Sequence, residues 1–348
     1  MEIILHIVST LALLGLIVWV CMVFTNAVEH LGKALNVGHG AVGSIFAAVG
    51  TALPETIVPL VAIIGAMLTS HNAPSGVQIG EQIGIGAILG APFLLSTFAM
   101  CLLGFAVFAF SKHKLRESTI NADYKLFLRD MKYFLTGYTI AISAGFVKIV
   151  PLKVCIGVFL LLFWGYYAYS TIAKSKEKGF EESEELKELS LARVFKIKEN
   201  NFLIATQVLL SLLGLIFFAH LFVEEIKFFS DKFNINPLIL SLIVAPIATE
   251  LPEKVNSILW LREGKDTLAL GNITGALVFQ SAIPTTVGIL LTPWVFDINS
   301  LANILMVYSA VLLITLTTLI AKKVVPQVLF LCGVFYLMFI GFVLLQML

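Results

Sequence analysis

Two stretches decide how this chain is read: Val49-Gly50-Thr51-Ala52-Leu53-Pro54-Glu55 and Ile247-Ala248-Thr249-Glu250-Leu251-Pro252-Glu253. Each places Thr-x-Leu-Pro-Glu inside an apolar run, and the two lie 198 residues apart. A second pair follows. Gly86-Ala87-Ile88-Leu89-Gly90-Ala91 answers Gly271-Asn272-Ile273-Thr274-Gly275-Ala276 at an offset of 185 residues. The chain is therefore an internal duplication. A proline within a helix removes one backbone hydrogen bond and crowds the carbonyl one turn earlier. For Pro54 that carbonyl belongs to Gly50, and for Pro252 to Ala248. Both carbonyls become candidate cation ligands. Glu55 and Glu253 add a formal charge directly after each proline, and Thr51 and Thr249, four residues before each acid, share its helix face. A carboxylate at mid-membrane costs at least ~2.5–3.5 kcal/mol. Two at equivalent places point to a bound cation, and oxygen-only donors suit Ca2+.

Composition sets the surroundings. The 348 residues are 59% hydrophobic and 13% charged, against about 45–50% and 25% in soluble domains. Apolar runs recur throughout, each long enough to cross ~30 Å of hydrocarbon. Ten spans are predicted, at roughly 3–23, 39–68, 83–110, 134–150, 152–173, 202–226, 237–260, 267–292, 300–320 and 326–347. The first lacks a basic n-region and is longer than a signal-peptide core, so it reads as a span. The fold class is an all-α membrane protein: ten transmembrane helices in two inverted five-helix repeats, with proline-broken helices 2 and 7. Five spans per half is odd, so the second half enters the membrane in the opposite sense, and the site belongs at the repeat interface. The division is 1–173, a linker at 174–200, and 201–348.

Eighteen Lys and Arg fall in loops on one side of this scheme and four on the other. The basic side is cytoplasmic. That places loops 111–133 and 174–200 in the cytoplasm and both termini outside it. The net charge of +1 gives no bulk argument for a nucleic-acid partner. The expected partners are inorganic cations and the lipid bilayer, with no cofactor. Cys21, Cys101, Cys155 and Cys332 each lie in apolar runs without C-x-x-C spacing, as packing residues do. The Gly86/Gly90 and Gly271/Gly275 spacings predict close helix approach.

These residues resemble the alpha-repeats of the cation/Ca2+ exchanger superfamily, which includes Na+/Ca2+ and H+/Ca2+ antiporters. Gly50-Thr51-Ala52-Leu53-Pro54-Glu55 is similar to its G-T-S-x-P-E, and Leu270-Gly271-Asn272-Ile273-Thr274-Gly275-Ala276 to its L-G-N-x-x-G-S. The resemblance implies a secondary antiporter in which Glu55 and Glu253 are the metal-binding carboxylates, with Thr51 and Thr249 beside them. It implies Ca2+ as cargo and H+ or Na+ as counter-ion. The chain departs from the Na+-coupled pattern at Ala52, Ala91, Ala276 and Glu250, where hydroxyls are missing. Gln280 matches the proton-coupled branch, while its counterpart Leu95 matches neither. Glu250, three residues before Glu253, is a further cation-binding candidate, because two carboxylates that close favour one sharing a proton. A passive cation channel or a non-transporting divalent sensor on the same scaffold is the alternative. An enzyme is disfavoured, as H-E-x-x-H, G-x-S-x-G and P-loop motifs are absent.

Several further residues are weighed as less central. His220 and Glu224 predict an i, i+4 interface pair. Lys254 reads as a counter-ion or a snorkelling lysine. Asn272 reads as a helix–helix hydrogen-bond partner. His39 and Glu81 read as span ends.

Overall fold

The computed structural model describes residues 2–34, 47–69, 74–177 and 188–347. Within these, the side chains of 32–33, 47–54, 69, 74–75, 172, 174–177, 248, 251–253 and 347 fall outside the description. His39 lies outside it altogether, as do residues 178–187 of the 174–200 linker. Among the described residues all regular structure is helical. In chain order the helices are α1 (Glu2–Ala34), α2 (Ala47–Thr69), α3 (Pro74–Leu94), a π-helical turn (Leu95–Ala99), α4 (Met100–Lys112), α5 (Tyr124–Ser143) and α6 (Val150–Glu177). Then follow α7 (Ser190–Phe195), α8 (Asn201–Phe233), α9 (Pro237–Arg262), α10 (Asp266–Gln280), α11 (Ile283–Leu291), α12 (Ile298–Ala321) and α13 (Pro326–Met347).

Every predicted span overlaps one of these helices. Among the described residues, seven stretches are long and apolar enough to cross a membrane: Glu2–Leu31, Gly76–Lys112, Val150–Thr171, Asn201–Phe233, Asp266–Leu291, Ile298–Ala321 and Pro326–Gln346. Large apolar side chains face outward on several of them, including Leu5, Trp19, Leu162, Phe202, Ile320 and Leu345. In water such faces would demand partners; in lipid they need none.

Three expectations are corrected. First, α2 and α9 run as continuous helices through Pro54 and Pro252. One missing N–H removes one bond and leaves the neighbouring i→i−4 bonds in place. The irregularities fall one helix later. Leu95–Ala99 forms a π-helical turn after Pro92. In the second half the helix stops at Gln280 and restarts at Ile283. Pro284 has no N–H to give the Gln280 carbonyl four residues earlier. Leu95 and Gln280 are counterparts at the 185-residue offset, so both halves bend at the same repeat position.

Second, the fourth span does not run 134–150. Helix α5 starts ten residues earlier, where Asp123 caps it by accepting from Lys125 N at 3.0 Å and Leu126 N at 3.2 Å. Its charges hid it from hydropathy. Asp130 is buried, accepts from Thr274 Oγ1 at 2.7 Å, and pairs with Arg129 at 2.9 Å.

Third, close packing holds at only one of the two glycine pairs. A methyl group at Gly86 would lie 2.1 Å from Ser241 Oγ, and one at Gly90 2.1 Å from the Leu242 carbonyl oxygen. Helices α3 and α9 therefore cross almost backbone to backbone, and Ser241 Oγ donates to the Ile83 carbonyl at 2.9 Å. A methyl at Gly271 would meet nothing within 4 Å, and one at Gly275 only Tyr167 Oη at 3.9 Å.

Among the described residues the core has two main parts, besides a small cluster of Leu189, Leu203 and Ile204. The larger joins α3–α6 with α9–α13 around Phe93, Phe134, Tyr138, Trp294 and Phe339. The smaller joins α1, α2 and α8, with Ile83 and Ala87 of α3. Helix α1 is clipped at both ends, His6 to Glu225 of α8 at 2.8 Å and His30 to Glu199, just before α8, at 2.8 Å. Cys21 and Cys332 are buried; Cys155 is exposed.

Candidate cation site

Helices α2, α9 and α10 carry Glu55, Glu250 and Gln280 to one place. Glu55 is 3% exposed, and Glu250 and Gln280 are fully buried. Gln280 stands at the last turn of α10, where the helix gives way before Pro284, and its side chain reaches both acids. Its Nε2 donates to Glu55 Oε2 at 2.9 Å and to Glu250 Oε1. An amide nitrogen has two hydrogens; here each serves a carboxylate from a different half of the chain. Gln280 Oε1 is buried and has no hydrogen-bond partner among the described residues.

The other oxygen of Glu250 is held by Lys254 Nζ at 2.5 Å, one helical turn along α9. Lys254 is 5% exposed. A carboxylate and an ammonium buried at that separation attract strongly, because the low dielectric that makes each costly alone strengthens their interaction. Of the two sequence readings of Lys254, the counter-ion is the one found, and its partner is Glu250. Thr249 is buried on the same helix, and its hydroxyl donates weakly to the Ala245 carbonyl at 3.4 Å.

The structure thus brings together Glu55, Glu250 and Gln280, with Lys254 added; Thr249 is buried one residue before Glu250, with its hydroxyl turned to the Ala245 carbonyl of its own helix. The side chains of residues 47–54, including Thr51, and of Ala248 and Glu253 lie outside the described residues. Among the described residues no group of three or more His, Cys, Asp or Glu gathers. Asn272 Nδ2 donates to Ser257 Oγ of α9 at 3.1 Å, the helix-to-helix role its sequence suggests. His220 and Glu224 do not pair as expected. Both are exposed, and Glu224 takes Lys227 at 2.7 Å instead. Glu81 is only partly buried on α3.

Two polar features escaped the sequence reading. The Gln280 bridge spans 225 positions and has no periodic signal. The Arg129–Asp130–Thr274 cluster lay in what read as a loop, although Arg-Asp before an apolar run was visible.

Known proteins resemble this chain over most of its length. Putative antiporter CaxA of Alkalimonas amylolytica is 23% identical over 300 residues, 82% of this chain and 80% of that protein. Inner membrane protein YrbG of Escherichia coli is 24% identical over 262 residues, 74% and 70% of the two chains. Among solved structures, the H+/Ca2+ exchanger CAX shares the fold at a TM-score of 0.68 and 15% identity, covering 97% of this chain and 82% of that one. The sodium–calcium exchanger NCX_Mj shares it at 0.57 and 20%, covering 97% and 98%. The family model for sodium/calcium exchanger proteins matches residues 5–173 and 203–348. This chain belongs to the sodium/calcium exchanger protein family.

Proposed function

We propose that the chain is a secondary antiporter exchanging Ca2+, or a similar divalent cation, for H+, by alternating access at a site shared between inverted five-helix halves. One observation supports this above the others. Gln280 ties Glu55 of the first half to Glu250 of the second in a buried place, as expected of a site at a repeat interface. On this reading Glu55 and Glu253 are the metal-binding carboxylates. Thr51, Thr249 and Gln280 Oε1 supply neutral oxygens, and the Gly50 and Ala248 carbonyls complete the cage. A set of 6–8 oxygens at about 2.3–2.6 Å is what Ca2+ takes.

The counter-ion follows from what is missing. Ala52, Ala91 and Ala276 stand where hydroxyl oxygens would hold a dehydrated Na+, and an amide stands at 280. Carboxylates that release a divalent ion accept protons in its place, and the neutral site then returns. Coupled acids of this kind titrate as a unit.

The test is Ca2+ uptake into proteoliposomes under separately imposed gradients. A pH gradient without Na+ should drive uptake. Uptake driven only by an outward Na+ gradient would overturn H+ as counter-ion. Flux that needs neither gradient would overturn antiport in favour of a passive pathway.

A further inference from the structure

The Glu250–Lys254 pair has no counterpart in the first half. At the 198-residue offset its positions answer Ala52 and Thr56. Acid and base are present together in one repeat and absent together in the other, so they form a unit. Both oxygens of Glu250 are engaged, Oε2 by the Lys254 ammonium at 2.5 Å and Oε1 by Gln280 Nε2. To ligate a transported ion, Glu250 would have to give up one of these. Lys254 is linked to Glu55 through this cluster: its ammonium holds Glu250 Oε2, and the Gln280 amide that donates to Glu250 Oε1 also donates to Glu55 Oε2.

We propose that Lys254 is a tethered counter-cation that holds Glu250 out of the transported ion's coordination. The inference rests on the antiport reading above. Glu250 is neutralised by a cation that cannot leave. The charge open to cargo is then that of Glu55 and Glu253, which matches one divalent ion. Without the lysine the site would carry an extra negative charge through each cycle. Without the glutamate the ammonium would turn through Gln280 toward Glu55 and compete with cargo for it.

The second consequence gives a decisive experiment: Ca2+ binding to purified protein in detergent by titration calorimetry, with folding checked by gel filtration and thermal melting. E250Q should weaken Ca2+ binding by at least about tenfold, because a tethered cation at these distances contends with the divalent ion. Adding K254M should rescue it, by at least about half of that loss on a logarithmic scale. A folded E250Q/K254M protein that binds as poorly as E250Q would overturn the proposal, since the Glu250 carboxylate itself would then be required. E250Q binding as tightly as wild type would overturn it too, since the freed ammonium would not be competing. Should E250Q fail to fold, the double variant decides alone: binding within about threefold of wild type supports the proposal, and a loss beyond tenfold sinks it. The wild-type arm separates the two readings. Wild type that neither binds nor moves Ca2+ or Mn2+ would remove the antiport reading, and this inference with it.

Discussion

Gln280 Nε2 donates to Glu55 Oε2 at 2.9 Å across 225 positions of sequence, and the same nitrogen donates to Glu250. One amide therefore couples acids from both halves. Q280L tests this with the residue that the first half has at the equivalent Leu95. Leucine keeps much of the volume and removes both donors. A hydrogen bond to a charged group contributes about 1.5–3 kcal/mol, so melting in detergent should fall clearly. Ca2+ should raise the melting temperature of wild type by binding the folded state, and should raise that of Q280L less. A wild-type melt with a wild-type Ca2+ response would refute the coupling.

Glu55→Gln and Glu253→Gln each remove a charge while keeping an oxygen. Both are expected to reduce divalent flux by at least about tenfold, the effect of ~1.4 kcal/mol of lost binding, with folded protein by gel filtration. The two should act alike, because they occupy equivalent positions of the duplicated motif. Wild-type flux from either variant would contradict the assignment.

Much of this was legible in sequence because it is local. Glu55 was singled out by motif spacing, Gln280 by the family resemblance, and the helices by apolar runs. What escaped depended on distant partners. The position of α5 was misjudged because hydropathy scores Arg129 and Asp130 as exposed charge, whereas each satisfies the other against Thr274. Glu250 was read against Glu253, its neighbour in sequence. The hydrogen-bond partners it has in the structure, Lys254 and Gln280, are fixed by helix geometry and by the end of α10. The break expected at Pro54 and Pro252 came instead near Leu95 and Gln280, because proline position alone does not say which helices stay whole.

The two Gly-x-x-x-Gly motifs should respond differently. G90A puts a methyl 2.1 Å from the Leu242 carbonyl oxygen and 2.7 Å from Pro246 Cγ, so α3 and α9 must separate. Overpacking of this kind costs typically ~1–3 kcal/mol. G271A meets nothing within 4 Å and should melt as wild type does. Equal melting temperatures for the two variants would contradict the helix crossing described.

Asp130 is buried against a partly exposed Arg129, so removing the arginine alone leaves a buried charge stranded. R129M should destabilise the protein, by less than the ~3–5 kcal/mol of a fully buried pair. R129M/D130N should recover most of it, because the stranded charge is gone. The measure is thermal melting in detergent. R129M no less stable than the double variant would show that the pair is not a unit.

Orientation can be read from labelling. Setting aside Lys125, Arg129 and Lys132, which lie on α5, leaves fifteen basic residues against the same four, three of which, Lys153, Lys227 and Lys232, also lie on helices. The bias survives the correction and still places the 188–200 segment in the cytoplasm. Lys198 and Val295 are both exposed, the first before α8 and the second before α12. From 198 to 295 the predicted scheme crosses the membrane three times, through α8, α9 and the α10–α11 pair. An odd number of crossings puts the two positions on opposite sides. With exposed Cys155 replaced by serine, K198C should react with a membrane-impermeant maleimide only from the cytoplasmic side, and V295C only from the other. Labelling of both from one side would mean that α10 and α11 do not together complete a crossing, and the inverted repeat would fail. Labelling of each from the opposite side to that expected would leave the repeat intact and reverse the charge argument alone.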